Sequence, residues 1–521
     1  MSWQAEAEEI ERRRAFADQL GGPAMVARQH GAGRLTVRER VAALVDPASF
    51  QEVGRLTGSA SYDADGVLQS VTPAPYIMGL AKIDGRDVAV GGEDFTVRGG
   101  TSWGSSRRKG GQGGFVEDIA HNYRIPLVNL IDGSGGSVTS AGRRGYSVLP
   151  GIHGFEQSVK LLGEVPVVSG VMGTAAGGPA GRAILSHFTV MVKDTSQVFA
   201  AGPPVVKRSL GQEITKEDLG GSKVAVDLAG TIDNVAETEE AAFAQIRRFL
   251  SYMPQNVWEL PPRSASDDPS ERADDELLSI VPRDRRKPYN MRKLMSHIAD
   301  RNSLFEIQPS FGRAVITSLG RMDGQVVGFI ANNPMIYGGA MDGAAARKQI
   351  HFLDLCDCFH IPIVFLVDVP GFMVGLQAEQ AATLRDGMRA VHAAMQATVP
   401  ILTVIIRKCY GMAGMATCDK NGLDLKVAWP SAEWGSLPIE GGVAAAFRRE
   451  IEAADDPKAR EKELEAELRE FASPFRTAEA FAIEDIIDPR ETRSFLCRFL
   501  NAARGRLATS LGPKPKYGVR P

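Results

Sequence analysis

The sequence predicts an α/β protein made of two similar units in tandem, because one pattern occurs twice, about 235 residues apart. Each copy has an apolar, β-branched run that ends in Asp and a glycine-containing turn, at 125–138 and again at 361–375. A Val-Pro pair, a second apolar run and a second glycine-rich turn follow at 164–181 and 398–415. Two buried strands with tight turns, present in both halves, indicate a duplicated α/β unit.

The glycines of these turns predict a place where backbone N–H groups meet a negatively charged oxygen. A turn that leaves a strand and enters a helix points N–H groups into a cleft, and glycine lets a ligand approach closely. Counted from the Val-Pro proline of each copy, Gly177-Gly178 falls at the same offset as Gly411-Met412. The pattern predicts two oxyanion holes, one in each half. For each turn taken singly, the alternative is a glycine turn that only closes a βαβ crossover.

The remaining elements follow from local patterns along the chain. An amphipathic helix within 33–50 ends at Asp46-Pro47, and short apolar runs from Tyr76 to Phe95 indicate hairpin strands. Each of the two buried strands that end in Asp is preceded by a helix, and strands from Ala314 to Asn332 open the second half. Residues 453–475 form a charge-patterned, solvated helix.

Length and composition fix the domain organisation. A chain of 521 residues is long enough for at least two domains. The stretch 261–290 is rich in Pro, Ser and charge, which is typical of a linker. We therefore expect an N-terminal domain at 1–265 and a C-terminal domain at 266–521.

Charge and hydropathy exclude several function classes. A formal net charge of −3 gives no global basic footprint for nucleic acid. Without an uninterrupted apolar run of about 18 residues, no membrane span is expected. The first 20 residues alternate acids and bases and lack the apolar region of a signal peptide, so a cytoplasmic location is expected.

The sequence shows few cysteine or histidine motifs for disulfides, metal binding or catalysis. The five cysteines do not indicate a disulfide framework in a chain of this length. Cys356, Cys358 and His360 are close in sequence, but no second ligand pair at zinc-ribbon spacing accompanies them, so packing is favoured and no metal is expected. The eight histidines form neither an H-E-x-x-H motif nor an obvious triad.

Longer segments give the chain a family resemblance. It resembles the carboxyltransferase (β) subunits of biotin-dependent acyl-CoA carboxylases of the propionyl-CoA and methylcrotonyl-CoA type. The segments that carry the resemblance are GRLTVRERVAALVDPASF (33–50), GGEDFTVRGG (91–100), HFTVMVKDTSQVFAAGP (187–203), FEIQPSFGRAVITSLGRMDGQVVG (305–328), VDVPGFMVG (367–375), ATVPILTVIIRKCYG (397–411) and VAWPSAEWG (427–435). They are spread over nearly the whole chain.

The resemblance implies two crotonase-like (ClpP/crotonase) domains in tandem, a homohexamer, and an active site between the N-terminal half of one subunit and the C-terminal half of another. In such enzymes the backbone amides at Gly177 and Gly178 stabilise the enolate oxygen of the acyl-CoA thioester. Those at Met412 and Ala413 stabilise the ureido oxygen of biotin. The carboxyl group moves from carboxybiotin to the acyl-CoA, and the protein supplies positioning and electrostatic stabilisation.

Two missing features imply a partner. The sequence has no Met-Lys-Met biotin attachment tripeptide and no evident ATP-binding domain. Biotin must therefore arrive on another protein. We expect a partner α subunit with biotin carboxylase and biotin carboxyl carrier functions, and no zinc ribbon in this chain.

Departures from the family pattern concern the substrate. The first turn reads DGSGGSV at 132–138 where propionyl-CoA-type enzymes usually read DSGGARIQ, and the second reads YGMAGM at 410–415 where they read YGGAYD. Met415 replaces an Asp that influences acyl-chain selection in the family, which makes the pocket more apolar. Met412 keeps its N–H. Propionyl-CoA is therefore not assumed as the substrate.

Further contacts complete the expected site. The resemblance implies substrate contacts from Gly135, Gly136, Ser137 and Met415, and cofactor contacts from Pro370, Gly371, Phe372, Gly411 and Lys408. Arg107, Arg108 and Lys109 lie among glycines and either grip the CoA phosphates or belong to a solvated loop. Lys408 either contacts cofactor or CoA or forms a salt bridge at the strand end.

Three function hypotheses follow. The leading one is the carboxyltransferase subunit of a biotin-dependent acyl-CoA carboxylase. A biotin-dependent decarboxylase or transcarboxylase subunit would use the same two holes. A crotonase-like protein that works without biotin, or a scaffold for other carboxylase subunits, is the third.

Overall fold

The computed structural model describes residues 2–101, 113–136, 142, 145–147, 155–417 and 425–514. They form two compact units, Met1–Glu259 and Leu260–Pro521. The second unit thus begins beside the Pro-, Ser- and charge-rich stretch 261–290. The predicted tandem of α/β units is confirmed, because each unit has its own mixed sheet with helices around it.

The first unit is built on an eight-stranded sheet in the order β1-β4-β5-β6-β7-β8-β10, with β9 also paired to β7. The strands from β5 onward run parallel, whereas β1, β4 and β5 are antiparallel neighbours; β2 and β3 form a separate hairpin. The strands are β1 (Gln51–Glu52), β2 (Gly58–Tyr62), β3 (Leu68–Pro73), β4 (Tyr76–Ile83), β5 (Arg86–Glu93), β6 (Leu127–Gly133), β7 (Val167–Ala176), β8 (Phe188–Val192), β9 (Gln197–Phe199) and β10 (Asn234–Ala236). The α-helices are Gln4–Asp18, Pro23–Gly31, Val37–Leu44, Gly113–Tyr123, Glu156–Leu161, Gly178–Ile184, Pro203–Leu210, Lys216–Gly220 and Glu239–Tyr252, with a π-helix at Lys223–Leu228.

The second unit repeats this sheet in the order β11-β12-β13-β14-β15-β16-β18, with β17 also paired to β15. Its strands are β11 (Phe305–Ile307), β12 (Val315–Met322), β13 (Gln325–Asn332), β14 (Ile363–Val369), β15 (Ile401–Tyr410), β16 (Leu425–Ala428), β17 (Glu433–Gly435) and β18 (Asp485–Ile486). The α-helices are Met291–Ile298, Gly343–Cys358, Leu376–Gln380, Thr383–Gln396, Gly411–Met415, Ile439–Ala446, Arg448–Ala453, Pro457–Arg469, Pro474–Glu479 and Thr492–Ala508.

The two sheets match strand for strand at their centres. Leu127 of β6 pairs with Val167 of β7, and Ile363 of β14 pairs with Ile401 of β15 at the corresponding point. Both strand pairs show a register shift near the end of the first strand. The sequence repeat is therefore a structural repeat, which places the two strand-end turns of each unit side by side.

Local sequence explains the predicted helices. The capping box of Thr36 and Glu39 begins the helix Val37–Leu44, as expected within 33–50. Cys356 is fully buried on the helix Gly343–Cys358, and a Cβ on Gly328 would lie 2.4 Å from its Sγ. Its position fits the predicted packing role.

None of the described helices has the length and apolarity that a membrane crossing requires.

Candidate active site

The first glycine turn lies where β7 ends and a short helix begins. Gly177 follows the last strand residue with φ 60° and ψ −121°, a conformation that glycine alone adopts easily, and the helix Gly178–Ile184 begins directly after it. The first N–H groups of a helix have no partner within the helix. A Cβ built on Gly178 would meet no atom within 4 Å. Exposed N–H groups at an open surface can bind an anionic oxygen.

The turn after β6 lies against this helix start. Gly135 has φ 77°, and a Cβ there would lie 2.6 Å from the carbonyl oxygen of Ala176 and 3.6 Å from the Cα of Gly177. Only glycine permits this close approach. Gly136 is exposed, with open space around it. The structure thus places Gly135 and Gly136, two of the predicted substrate contacts, at the first glycine turn. Outside the described residues lie Ser137, Arg107, Arg108 and Lys109.

The second glycine turn has the same construction in the other unit. Gly411 follows the end of β15 with φ 58°, and the helix Gly411–Met415 begins there. Ala413 is buried, whereas Met412 and Met415 expose 45% and 65% of their surface. Both glycine turns therefore combine a left-handed glycine with the first turn of a helix, as the matched offsets predicted.

The remaining predicted cofactor contacts lie beside the second turn. Pro370, Gly371 and Phe372 form a half-buried turn after β14. The Phe372 ring packs on the helix Thr383–Gln396, where a Cβ on Gly387 would lie 2.4 Å from it. Lys408 donates its backbone N–H to the carboxylate of Asp368 at 3.1 Å.

A short strand adds ionisable groups to this region. Strand β17 pairs with β15 so that Glu433 is opposite Lys408. Burial raises the pKa of Glu433, and the neighbouring guanidinium of Arg285 opposes that shift. A Cβ on Gly411 would lie 3.3 Å from the carbonyl oxygen of Ser436, just beyond β17. Polar and ionisable groups therefore line the second glycine turn on the side of β17.

Behind the first turn, a buried ion network holds the aspartate at the strand end. Asp132 is fully buried, and Arg40, which is only 1% exposed, donates to it at 2.9 Å. The same guanidinium donates to both oxygens of Glu239, at 2.8 and 2.9 Å, and to the carbonyl oxygen of Met172. This network fixes the end of β6, from which the Gly135 turn departs.

In the second unit, a different arginine pairs with the aspartate at the strand end. Asp368, at the equivalent strand end, is fully buried and accepts hydrogen bonds from Arg407 of β15. At this strand end, next to Lys408, the salt bridge to Asp368 is made by Arg407. Its guanidinium lies 4.9 Å from the ring centre of Tyr289, and burial beside Asp368 raises the pKa of that tyrosine.

The sequence analysis missed the partners of both aspartates. The first-unit equivalent of Arg407 is Gly173, where a Cβ would lie 2.1 Å from Oδ1 of Asp132. Because that strand position has no room for a side chain, the guanidinium comes from Arg40, 92 residues earlier in the chain. The only available signal was an Arg within the conspicuous segment 33–50.

Comparisons with known proteins give matches over most or all of the chain. A family model described as the carboxyl transferase domain matches residues 28–515. The chain is 36% identical to the propionyl-CoA carboxylase carboxyltransferase subunit of Haloferax mediterranei, with 100% of both chains covered. It is 33% identical to the methylmalonyl-CoA decarboxylase subunit alpha of Propionigenium modestum, with 96% of each covered.

A solved structure extends the similarity to the whole fold. The chain is similar to transcarboxylase 12S, with a TM-score of 0.88 and 32% identity over 100% of this chain and 99% of the other. That structure is described as a hexamer assembly, with methylmalonyl-coenzyme A and methylmalonic acid bound.

Proposed function

The chain belongs to the carboxyl transferase family, and from this premise we propose that its two glycine turns are the two oxyanion holes of the reaction. It is the carboxyltransferase of a biotin-dependent acyl-CoA carboxylase, built from two crotonase-like domains. Its substrates are an acyl-CoA and the carboxybiotin of a partner subunit. The observation that carries the proposal is that Gly177 and Gly411 both have a positive φ, 60° and 58°, at the point where a buried strand passes into a short helix.

In the first unit, we assign the acyl-CoA thioester to the N–H groups of Gly177 and Gly178. Loss of the α-proton places negative charge on the thioester oxygen, and donors fixed in advance stabilise that charge most in the transition state. One such donor is worth about 3–4 kcal/mol of barrier. The exposed glycines leave room for the thioester, and Gly135 and Gly136 line the same opening.

In the second unit, we assign the ureido oxygen of biotin to the N–H groups of Met412 and Ala413. Held there, carboxybiotin would supply the carboxyl group and a ring nitrogen able to accept the α-proton of the acyl-CoA. Backbone donors at the start of a helix suit an oxygen that gains negative charge. We assign the further contacts with biotin to Pro370, Gly371, Phe372, Gly411 and Lys408.

The acyl chain is assigned to a pocket beside Met415, and the CoA phosphates to Arg107, Arg108 and Lys109. Methionine is flexible and apolar, so it suits a longer or branched chain. The 65% exposure of Met415 leaves it free to contact a ligand.

The assembly follows from the same assignment. We propose a homohexamer that works with a biotin carboxylase and biotin carboxyl carrier partner. The solved hexamer of transcarboxylase 12S, at 32% identity, supports this assembly. Both directions of carboxyl transfer use the same pair of holes, which fits relatives named as a carboxylase and as a decarboxylase.

The test is Gly178→Pro in the full-length chain. Proline fits the first helical position and removes one N–H, and a Cβ at this position would meet no atom within 4 Å outside its chain neighbours and its own helix backbone. We expect kcat for carboxyl transfer between methylmalonyl-CoA or malonyl-CoA and free biotin to fall about 100- to 1000-fold.

Gly178→Ala is the matched control, because it adds a Cβ in the same open space and keeps the N–H. Its activity should stay within about fivefold of wild type. A folded Gly178→Pro variant as active as Gly178→Ala would place the thioester elsewhere.

A further inference from the structure

The helix that carries the first hole has little stability of its own. It has only seven residues, Gly178–Ile184, and it contains Gly178 and Gly181. Short helices are marginal in water, and glycine is a poor helix former. Gly177 precedes the helix and has no side chain that caps it. The position of its N–H groups must therefore be set by contacts with the rest of the unit.

One of these contacts is a buried ion pair. Arg182 lies on this helix, five residues after Gly177, and its guanidinium contacts the carboxylate of Glu93, the last residue of β5. The side chains are 13% and 2% exposed. Burial alone would lower the pKa of Arg182, but the charge of Glu93 raises it, so the arginine stays ionised. A buried pair of opposite charges resists separation, because each group left alone is costly.

The same carboxylate also holds the neighbouring strand end. The second oxygen of Glu93 accepts the backbone N–H of Asp132 at 3.3 Å. Asp132 ends the apolar run of β6, and the Gly135 turn follows it. Glu93 therefore joins the helix of the first hole to the strand from which the facing turn departs.

The second unit lacks this ion pair at the equivalent positions. Asn332, the last residue of β13, accepts the backbone N–H of Asp368 at 3.1 Å, just as Glu93 does for Asp132. The residue five positions after Gly411 is Ala416, whose carbonyl oxygen accepts a bond from Gln349 at 2.6 Å. A neutral arrangement thus fixes the second turn, and a charged one fixes the first.

We propose that Arg182 is a positioning residue for the thioester: through Glu93 it fixes the helix start at Gly177 and Gly178 where charge develops on the substrate. The inference rests on the assignment of the first hole above. It predicts that the pair affects the rate of the chemical step more than the binding of acyl-CoA, since a small displacement of the donors costs most in the transition state.

The decisive variant is the double replacement Glu93→Asn/Arg182→Ala, which introduces the neutral residues that the second unit has at the two equivalent positions, Asn332 and Ala416. It removes both members of the pair, so neither stays behind as its buried, unpaired half, and we expect a smaller fall in melting temperature than in Arg182→Ala alone, where Glu93 would lose its partner. Carboxyl transfer between methylmalonyl-CoA or malonyl-CoA and free biotin should keep its KM for the CoA ester within about twofold, while kcat falls about 10- to 100-fold. Hydrogen exchange of the backbone amides in 177–184 should become faster, with no change in 411–416.

Arg38→Ala is the matched control. It breaks a partly buried ion pair of the same unit, Arg38 with Glu52 at 2.9 Å, and should leave kcat within about twofold. A double variant with wild-type kcat and unchanged exchange in 177–184 would overturn the inference. If Gly178→Pro is inactive in that case, the first hole stands and only the role of Arg182 is wrong; if Gly178→Pro is active, the assignment of the hole itself is wrong.

Discussion

Replacing Arg40 by Met should destabilise the first unit strongly. The guanidinium is 1% exposed and donates four hydrogen bonds, one to Asp132, two to Glu239 and one to the carbonyl oxygen of Met172. Methionine has similar bulk but no donor. Asp132 keeps weaker contacts with Gln29 at 3.1 Å and Arg34 at 3.4 Å.

The expected loss of stability follows from the buried carboxylates that lose Arg40 as their partner. Breaking a buried ion pair by removing one member costs about 3–5 kcal/mol. For a unit of this size, 1 kcal/mol shifts the melting temperature by about 2–4 °C. We therefore expect the first unit of Arg40→Met to melt about 10 °C below wild type in scanning calorimetry at pH 7. The double variant Arg40→Met/Asp132→Asn should recover part of that loss, because one orphaned charge is removed.

Arg448→Met provides the comparison for an exposed pair. Arg448 and Glu452 are 76% and 61% exposed, and such pairs contribute about 0–1 kcal/mol. Its melting temperature should stay within about 2 °C of wild type. If Arg40→Met also melts within 2 °C of wild type, the buried network does not stabilise the strand end.

Two further predictions concern pH and specificity. Burial lowers the pKa of Lys348 to about 7, while the unfolded lysine keeps its proton up to about pH 10. Above pH 7 the unfolded chain therefore binds one more proton than the folded chain, so the free energy of unfolding rises with pH. Between pH 7 and 9 it should rise by about 2 kcal/mol more in wild type than in Lys348→Met, as measured by denaturant titration. An equal pH dependence in both proteins would contradict this. Met415→Asp should shift the ratios of kcat/KM among acetyl-, propionyl-, butyryl- and methylcrotonyl-CoA by about 1–3 kcal/mol, and a uniform fall in all rates would make Met415 a packing residue.

Much of the fold was predictable because its signals are local. A glycine such as Gly177 or Gly411 marks a backbone conformation, and the apolar runs before β-strand ends mark buried strands. The repeat then aligned the two turns without knowledge of tertiary contacts. Glycine positions in the candidate site were therefore found directly from the sequence.

The charged partners were not predictable in the same way. Arg40 precedes Asp132 by 92 residues, and Arg182 follows Glu93 by 89, so no local spacing connects either pair. Burial of a charged side chain also runs against the average behaviour of arginine. At the end of β15, Arg407 and Lys408 follow one another, and successive side chains of a strand point to opposite faces. The sequence did not indicate which of the two faces Asp368.

The different arginines behind the two aspartates limit how far the halves can be exchanged. In a chimera that replaced β7 by the sequence of β15, an arginine would enter at position 173, where even a Cβ would lie 2.1 Å from Oδ1 of Asp132. Arg40 already supplies the positive charge for that carboxylate. In the opposite chimera, glycine would replace Arg407 and Asp368 would lose a guanidinium that nothing else in the transplanted strand provides. The two halves share one architecture, but a strand of one half cannot replace the equivalent strand of the other. A domain-shuffling design must therefore transplant each arginine together with its aspartate.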